Sequence, residues 1–182
     1  TYWEEDPEAA VKALNNCYTY LGNMDEQLYS EAMTDNAYTK QPNDFTQNIG
    51  NGSYSTADSY VKQVWDGRYT GIRMCNQLLE NIDRVPDLDP ELKKRYIGEA
   101  KVLRAYNYYE LYTKFGDVPY TTKVLSIKES MSIARTDRAT VIANMLADLD
   151  EVINGNYLPA SYDADNKGRI TRWAAMAIKA KI

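Results

Sequence analysis

Histidine is absent from the 182-residue sequence. Its absence removes the commonest general base near neutral pH and the commonest zinc ligand. Cysteine occurs only twice, as Cys17 and Cys75, each among apolar residues at helical spacing. The two could pair in an oxidising compartment; two separate buried thiols acting as small hydrophobes is the preferred reading. No apolar run reaches the roughly 18 residues of a transmembrane helix. Basic stripes are missing too, and the net charge is −5, which argues against nucleic-acid binding, where clustered Lys and Arg meet phosphates. Phenylalanine is scarce, with 2 residues against 16 tyrosines. A tyrosine ring is an apolar face with a polar tip, suited to half-wet recognition surfaces or to helix packing with the hydroxyl at the core's edge.

What is present suits one globular domain. The sequence is 44% hydrophobic and 26% charged, and a chain of this length buries about 70% of its unfolded surface. A first helix is expected from about Pro7 to Leu21, capped by Asp6 and closed at Gly22, with a short helical turn near Asp25 to Met33. A second runs from Thr56 or Tyr60 to Ile82, with Trp65, Tyr69, Ile72, Cys75, Leu79 and Ile82 at helical period. Asp89 and Pro90 open a third, whose face carries Leu92, Tyr96, Ala100, Leu103, Tyr106 and Leu111, and which Gly116 and Pro119 terminate. Gly98 beside Ala100 marks close helix contact. VPYTTKVL (118–125) reads as a short strand or an extended crossing. A fourth helix starts with Thr136 as cap, runs to Ile153 and presents Ile142, Met145, Leu146, Leu149 and Val152. A fifth starts at Thr171 and runs into the last residues without a cap, which reads as a fragment of something longer. The fold class is therefore all-α: antiparallel helix pairs of tetratricopeptide-like type with long loops, although no clean repeat of about 34 residues is visible.

One segment breaks the pattern. DNAYTKQPNDFTQNIGNGSYSTADSY, Asp35 to Tyr60, has no helical or strand period, yet it sets Tyr38, Phe45, Tyr54 and Tyr60 among amides and carboxylates. Sugars combine apolar ring faces with a fringe of hydroxyls, which aromatic stacking and planar amides or carboxylates match. The candidate ligand residues are Asp35, Asn36, Tyr38, Asn43, Asp44, Phe45, Asn48 and Tyr54. The alternative is a surface loop whose composition is only turn chemistry. Two aspartates on one loop lack the rigid opposed geometry of glycoside hydrolysis, so no catalytic residue is assigned. DADNKG (163–168) begins like a calcium loop, but Lys167 and Ala174 occupy ligand positions; it reads as a turn, and neither a metal nor a cofactor is expected. Glu99 and Arg104, charged within an apolar helix, read as a structural salt bridge or as partners of neighbouring helix ends.

Taken together, WDGRYTGIRMCNQLLENI (65–82), YIGEAKVLRAYNYYELYTKFGDVPY (96–120), RTDRATVIANMLADLDEVI (135–153) and GRITRWAAMAIKAKI (168–182) resemble the N-terminal part of the SusD/RagB family. The resemblance rests on order and spacing: Trp65, Tyr69 and Ile72 followed by Asn76, then Gly98-Glu99-Ala100, Leu103-Arg104-Ala105-Tyr106, Gly116, Pro119, Arg135-Thr136, Asp148-Leu149 and Gly168-Arg169. It implies a surface-exposed outer-membrane lipoprotein that binds glycans non-catalytically and delivers them to a TonB-dependent, SusC-like transporter. On this reading residues 1–182 are the helical N-terminal part of such a protein. The lipid anchor, the chain's contact with the membrane, and the C-terminal portion lie outside it. Trp65, Tyr69, Glu99, Arg104, Gly116 and Pro119 belong to the scaffold. The alternative function is a helical protein–protein module that serves only as a transporter lid or peptide scaffold.

Overall fold

A computed structural model describes residues 2–22, 24–41 and 44–182. The described chain is helical, with nine α-helices in order: α1 (Tyr2–Glu5), α2 (Ala9–Tyr18), α3 (Met24–Glu31), α4 (Phe45–Gly50), α5 (Ser59–Asn81), α6 (Pro90–Phe115), α7 (Ile127–Ser132), α8 (Arg138–Asn154) and α9 (Arg172–Lys181). The all-α expectation is met. No helix among the described residues is long and apolar enough to cross a membrane.

Helix α6 is the hub. Asp89 accepts hydrogen bonds from the Glu91 and Leu92 amides, Pro90 occupies the first turn, and Gly116 ends the helix at φ +70°, a conformation that costs glycine little. Its buried residues surround the helix rather than forming one stripe, as expected of a helix enclosed by neighbours. Those neighbours are α5, α8 and α2. Gly71 of α5 faces Asn107 of α6, and Asn76 faces Arg104, so position numbers rise on one helix as they fall on the other and the pair is antiparallel. Leu78, Ile82, Leu103, Leu111, Met145 and Leu149 belong to the one buried apolar core that these elements share. Leu92, expected on the apolar face of α6, is exposed at its solvent end.

The polar residues of α6 are specifically placed. Glu99 is fully buried and Arg104 nearly so, but they do not pair with each other. Glu99 accepts from the Tyr18 hydroxyl of α2 and pairs with Arg95 at 3.2 Å and Arg169 at 3.3 Å. The Tyr162 hydroxyl lies 3.4 Å from it and donates to the Ile170 carbonyl. Arg104 donates to Asn76 of α5 at 2.9 Å and to Asp148 of α8 at 2.5 Å. One residue thus ties α2 and the loop before α9 to α6, and the other ties α5 and α8 to it. Cys17 and Cys75 are both buried and unpaired.

Several local expectations need correction. Asp6 accepts from the Glu8 amide, but regular helix begins only at Ala9. The cap of α8 is Asp137, which accepts from the Thr140 amide. Thr136 is instead engaged through its backbone in an isolated bridge with Val118. That bridge is the nearest the described residues come to a strand. Side chains hold the crossing 119–125 in its place: Tyr69 donates to the Pro119 carbonyl, Tyr108 to Thr121, Asn76 to Thr121 and Lys123, and Arg73 to Leu125. Helix α7, unforeseen above, starts in a capping box between Ser126 and Glu129. Gly98 packs not on a helix but on the loop after α8: a Cβ there would meet Tyr157 Cβ at 2.7 Å.

A Cβ at Gly71 would lie 2.8 Å from Tyr20 Cβ and 2.9 Å from the Asn107 amide. Alanine favours a helix over glycine by about 1 kcal/mol, but overpacking costs about 1–3 kcal/mol, so the clash dominates. Gly71→Ala is expected to destabilise the fold by up to about 2 kcal/mol in denaturant unfolding; a gain in stability contradicts the close approach. Burial also holds the Tyr18, Tyr69, Tyr108 and Tyr162 hydroxyls above the ordinary tyrosine pKa, the Glu99 carboxylate adding to the effect at Tyr18 and Tyr162. The folded state then keeps protons that the unfolded chain releases above about pH 10, so this contribution to stability is intact below that pH and falls above it. Urea midpoints should drop between about pH 8 and about pH 11, with tyrosinate absorbance rising as the protein unfolds; tyrosinate formation by these residues in the folded state contradicts this.

Candidate functional site

The segment 35–60 carries more local order than its composition suggests. Asp44 takes the cap position of α4, accepting from the Thr46 amide and hydroxyl at 2.8 and 2.6 Å. These bonds, the hydroxyl's first, hold its carboxyl below the usual aspartate range. Thr46 is fully buried and its hydroxyl bonds Thr39 at 2.9 Å. The Gln47 amide donates to the carbonyls of Thr39 and Gln41. Farther on, the Ser53 amide returns to the Asn48 carbonyl, and Asp58 caps α5 through the Tyr60 amide. The hydroxyls and amides of the segment therefore hold its own backbone.

This order places rings. Phe45, the first residue of α4, stacks on Tyr60 in the first turn of α5, with centroids 4.6 Å apart and planes 22° apart. On the other side it meets Tyr29 of α3 at 5.3 Å. Three helices thus contribute one aromatic cluster, which borders a groove of about 700 Å³. The rigid wall of the groove comes from α5 and α6. There Arg68, 9% exposed, donates to the Tyr20 carbonyl and to Glu26, each at 2.8 Å, and lies 3.8 Å from Glu110. Lys114, one turn beyond Glu110, pairs with the same carboxylate. Burial, then the Glu26 and Glu110 charges, raises the Tyr60 pKa. Gln27, Gln63, Ser30 and Ser59 add uncharged hydrogen-bonding groups to the lining.

Of the candidates named from sequence, Phe45 lines this groove. Asp35, Asn36, Tyr38 and Tyr54 are exposed on the segment outside it, and Asn36 donates to Glu31. Asp44 and Asn48 serve the α4 turn. Asn43 lies outside the described residues. Tyr29, Glu26, Arg68 and Glu110 were not foreseen. Arg68 carried a signal, a charge set between Trp65 and Ile72 on an amphipathic helix, but its partners lie 42 residues away on both sides. Asp163, in the calcium-like stretch, accepts from the Asn166 amide and side chain as a turn residue. Among the described residues no group of His, Cys, Asp and Glu gathers with the geometry to hold a metal ion.

The family model described as SusD-like, starch-binding associating with outer membrane, matches residues 8–182. SusD-like protein P25 of Formosa agariphila is 26% identical in an alignment covering all of this chain and 39% of that protein. A crystal structure of a SusD-like protein from Bacteroides fragilis superposes with a TM-score of 0.84 at 28% identity, covering 99% of this chain and 35% of the other. A laminarin-binding SusD-like protein gives a TM-score of 0.82 at 26% identity, covering 96% and 38%. The chain thus spans about two fifths of the length of the proteins it matches.

Replacing Asp44 with alanine removes the α4 cap at a cost of about 1 kcal/mol. Amide exchange over residues 45–50 should quicken about fivefold in Asp44→Ala, with α6 unchanged; unaltered exchange in α4 contradicts the capping role.

Proposed function

The chain belongs to the SusD-like family, and from that premise we propose that it takes part in non-catalytic capture of a polysaccharide or oligosaccharide at the cell surface. The observation that carries this reading is the Tyr29–Phe45–Tyr60 aromatic cluster at the rim of a groove, in which Phe45 stacks on Tyr60 and meets Tyr29 at a tilt. Pyranose rings present apolar faces, and stacked aromatics receive them. The hydroxyl fringe of the sugar is met by the glutamines and serines of the lining, each able to donate and accept. Asp35, Asn36, Tyr38, Asp44, Asn48 and Tyr54 extend this surface along the segment for a polymer longer than the groove. The laminarin-binding relative, with the same fold at 26% identity, supports the ligand class.

Binding without hydrolysis fits two of the three carboxylates lining the groove. Glu26 and Glu110 both engage the Arg68 guanidinium, and this gives them a structural task in place of the separate acid and nucleophile roles of a glycosidase. The captured glycan passes to a TonB-dependent transporter of SusC type, and a lipid anchor outside this chain holds the protein at the outer-membrane surface. The family's description, association with the outer membrane, supports that placement. The four-helix scaffold of α2, α5, α6 and α8 holds the ligand-facing wall rigid during the exchange.

Isothermal titration against a polysaccharide panel tests the reading. Phe45→Ala and Tyr60→Ala are each expected to weaken glycan binding about tenfold while the helical core stays folded, at a stability cost of about 1 kcal/mol for the lost stack. Truncating Tyr38, Phe45 and Tyr54 together is expected to cost more than Phe45→Ala alone. If no glycan in the panel binds yet the protein co-purifies with a transporter, the lid-only alternative takes its place. Release of sugar products on incubation contradicts the non-catalytic reading.

A further inference from the structure

We infer that the groove selects an uncharged glycan and disfavours uronate-rich or sulfated ones, an inference that rests on the glycan reading above. It comes from how the charges lining the groove are used. The lining holds the acids Asp25, Glu26 and Glu110 and the cations Arg68 and Lys114. Recognition of a carboxylate or sulfate calls for a guanidinium fork aimed at the ligand, or several lysines in its path. The fork of Arg68 is already occupied: one nitrogen donates to the Tyr20 carbonyl and another to Glu26, with Glu110 at 3.8 Å. Its side chain is 9% exposed, and the guanidinium lies 5.8 Å from the centre of the Tyr106 ring. Turning it to a ligand would leave Glu26 and Glu110 facing the incoming anion. Lys114 is taken up by Glu110 one turn before it.

Asp25 therefore sets the excess charge of the lining, and its sign is negative. The approach along the segment points the same way. Residues 35–60 carry Asp35, Asp44 and Asp58 against a single cation, Lys40. On the α5 side Lys62 is paired with Asp66. An anionic polymer would bring like charges together in a partly dehydrated groove, whereas a neutral sugar needs only the rings and the amide and hydroxyl groups. Like-charge juxtaposition at an interface is a strong source of discrimination.

The test compares, on the full chain, two neutral polymers, laminarin and starch, with two polyanions, alginate and a sulfated galactan, each at low and at near-physiological salt. Neutral binding that changes little with salt, and polyanion binding at least about tenfold weaker, is the expected result. Polyanion binding as tight as neutral binding, fading as salt rises, overturns the inference and leaves the glycan reading standing. Binding of neither class overturns the glycan reading itself. Glu26→Gln provides a second arm by releasing part of the Arg68 fork. It is expected to raise polyanion affinity by about fivefold or more; an unchanged polyanion affinity in the folded variant removes Arg68 sequestration as the cause.

Discussion

Glu99 is a carboxylate with no exposure to water, set in the middle of the most enclosed helix of the bundle. A lone buried charge is too costly to persist, so everything near Glu99 is arranged to answer it. Tyr18 reaches it from α2, Arg95 from its own helix, and Arg169 and Tyr162 from the loop before α9. The Tyr18 hydroxyl also accepts the Ile170 amide at 2.9 Å. A chain that misplaced any of these elements would strand a charge, so the cluster rejects alternative packings as much as it stabilises this one. Five residues along, Arg104 does the same for α5 and α8. Apolar packing makes the bundle compact; these two groups fix which helix lies against which and at what height.

The groove depends on that register. Arg68 and Glu110 lie on α5 and α6, whose relative position is set by the Arg104–Asn76 bond and by the close approach at Gly71. The opposite side is built from short pieces: α4, tied to the preceding segment by Thr46, Gln47 and Asp44, and α3, held through Glu26 and Tyr29. A rigid wall opposite a locally tied one is a common way to hold a recognition surface on a stable scaffold. The two walls meet at aromatic rings and at the Arg68–Glu26 pair, where α3 docks on α5.

Much of this was legible in the residues. Asp89-Pro90 and Gly116 bounded α6 correctly because caps are local chemistry, and the period running through Trp65, Tyr69, Ile72 and Cys75 placed α5. The family resemblance, carried by order and spacing, is now matched over residues 8–182. Local reasoning failed where distant partners decide. Thr136 looked like a cap, yet its backbone is spent on Val118, and Asp137 caps instead. For 118–125 a short strand and an extended crossing were equally legible; the crossing is what forms, because tyrosine and asparagine side chains from α5 and α6 satisfy its carbonyls. Helix α7 was readable, since Ser126 and Glu129 have capping-box spacing, but at six residues it has no hydrophobic period to reveal it. In the candidate site, composition drew attention to the segment 35–60, of whose named candidates Phe45 lines the groove. It could not reveal Tyr29, Arg68 or Glu110, because a groove between helices depends on tertiary register and not on local composition.

The central claim is that a glycan sits against the Tyr29–Phe45–Tyr60 cluster, between it and the α5–α6 wall. Amide and aromatic NMR shifts recorded during titration with a neutral oligosaccharide test this most directly. The account predicts saturable shifts concentrated on Tyr29, Phe45, Tyr60 and the amides around Arg68, with the Glu99 cluster unmoved. Saturable shifts confined to another face of the bundle, leaving those rings unchanged, would contradict it.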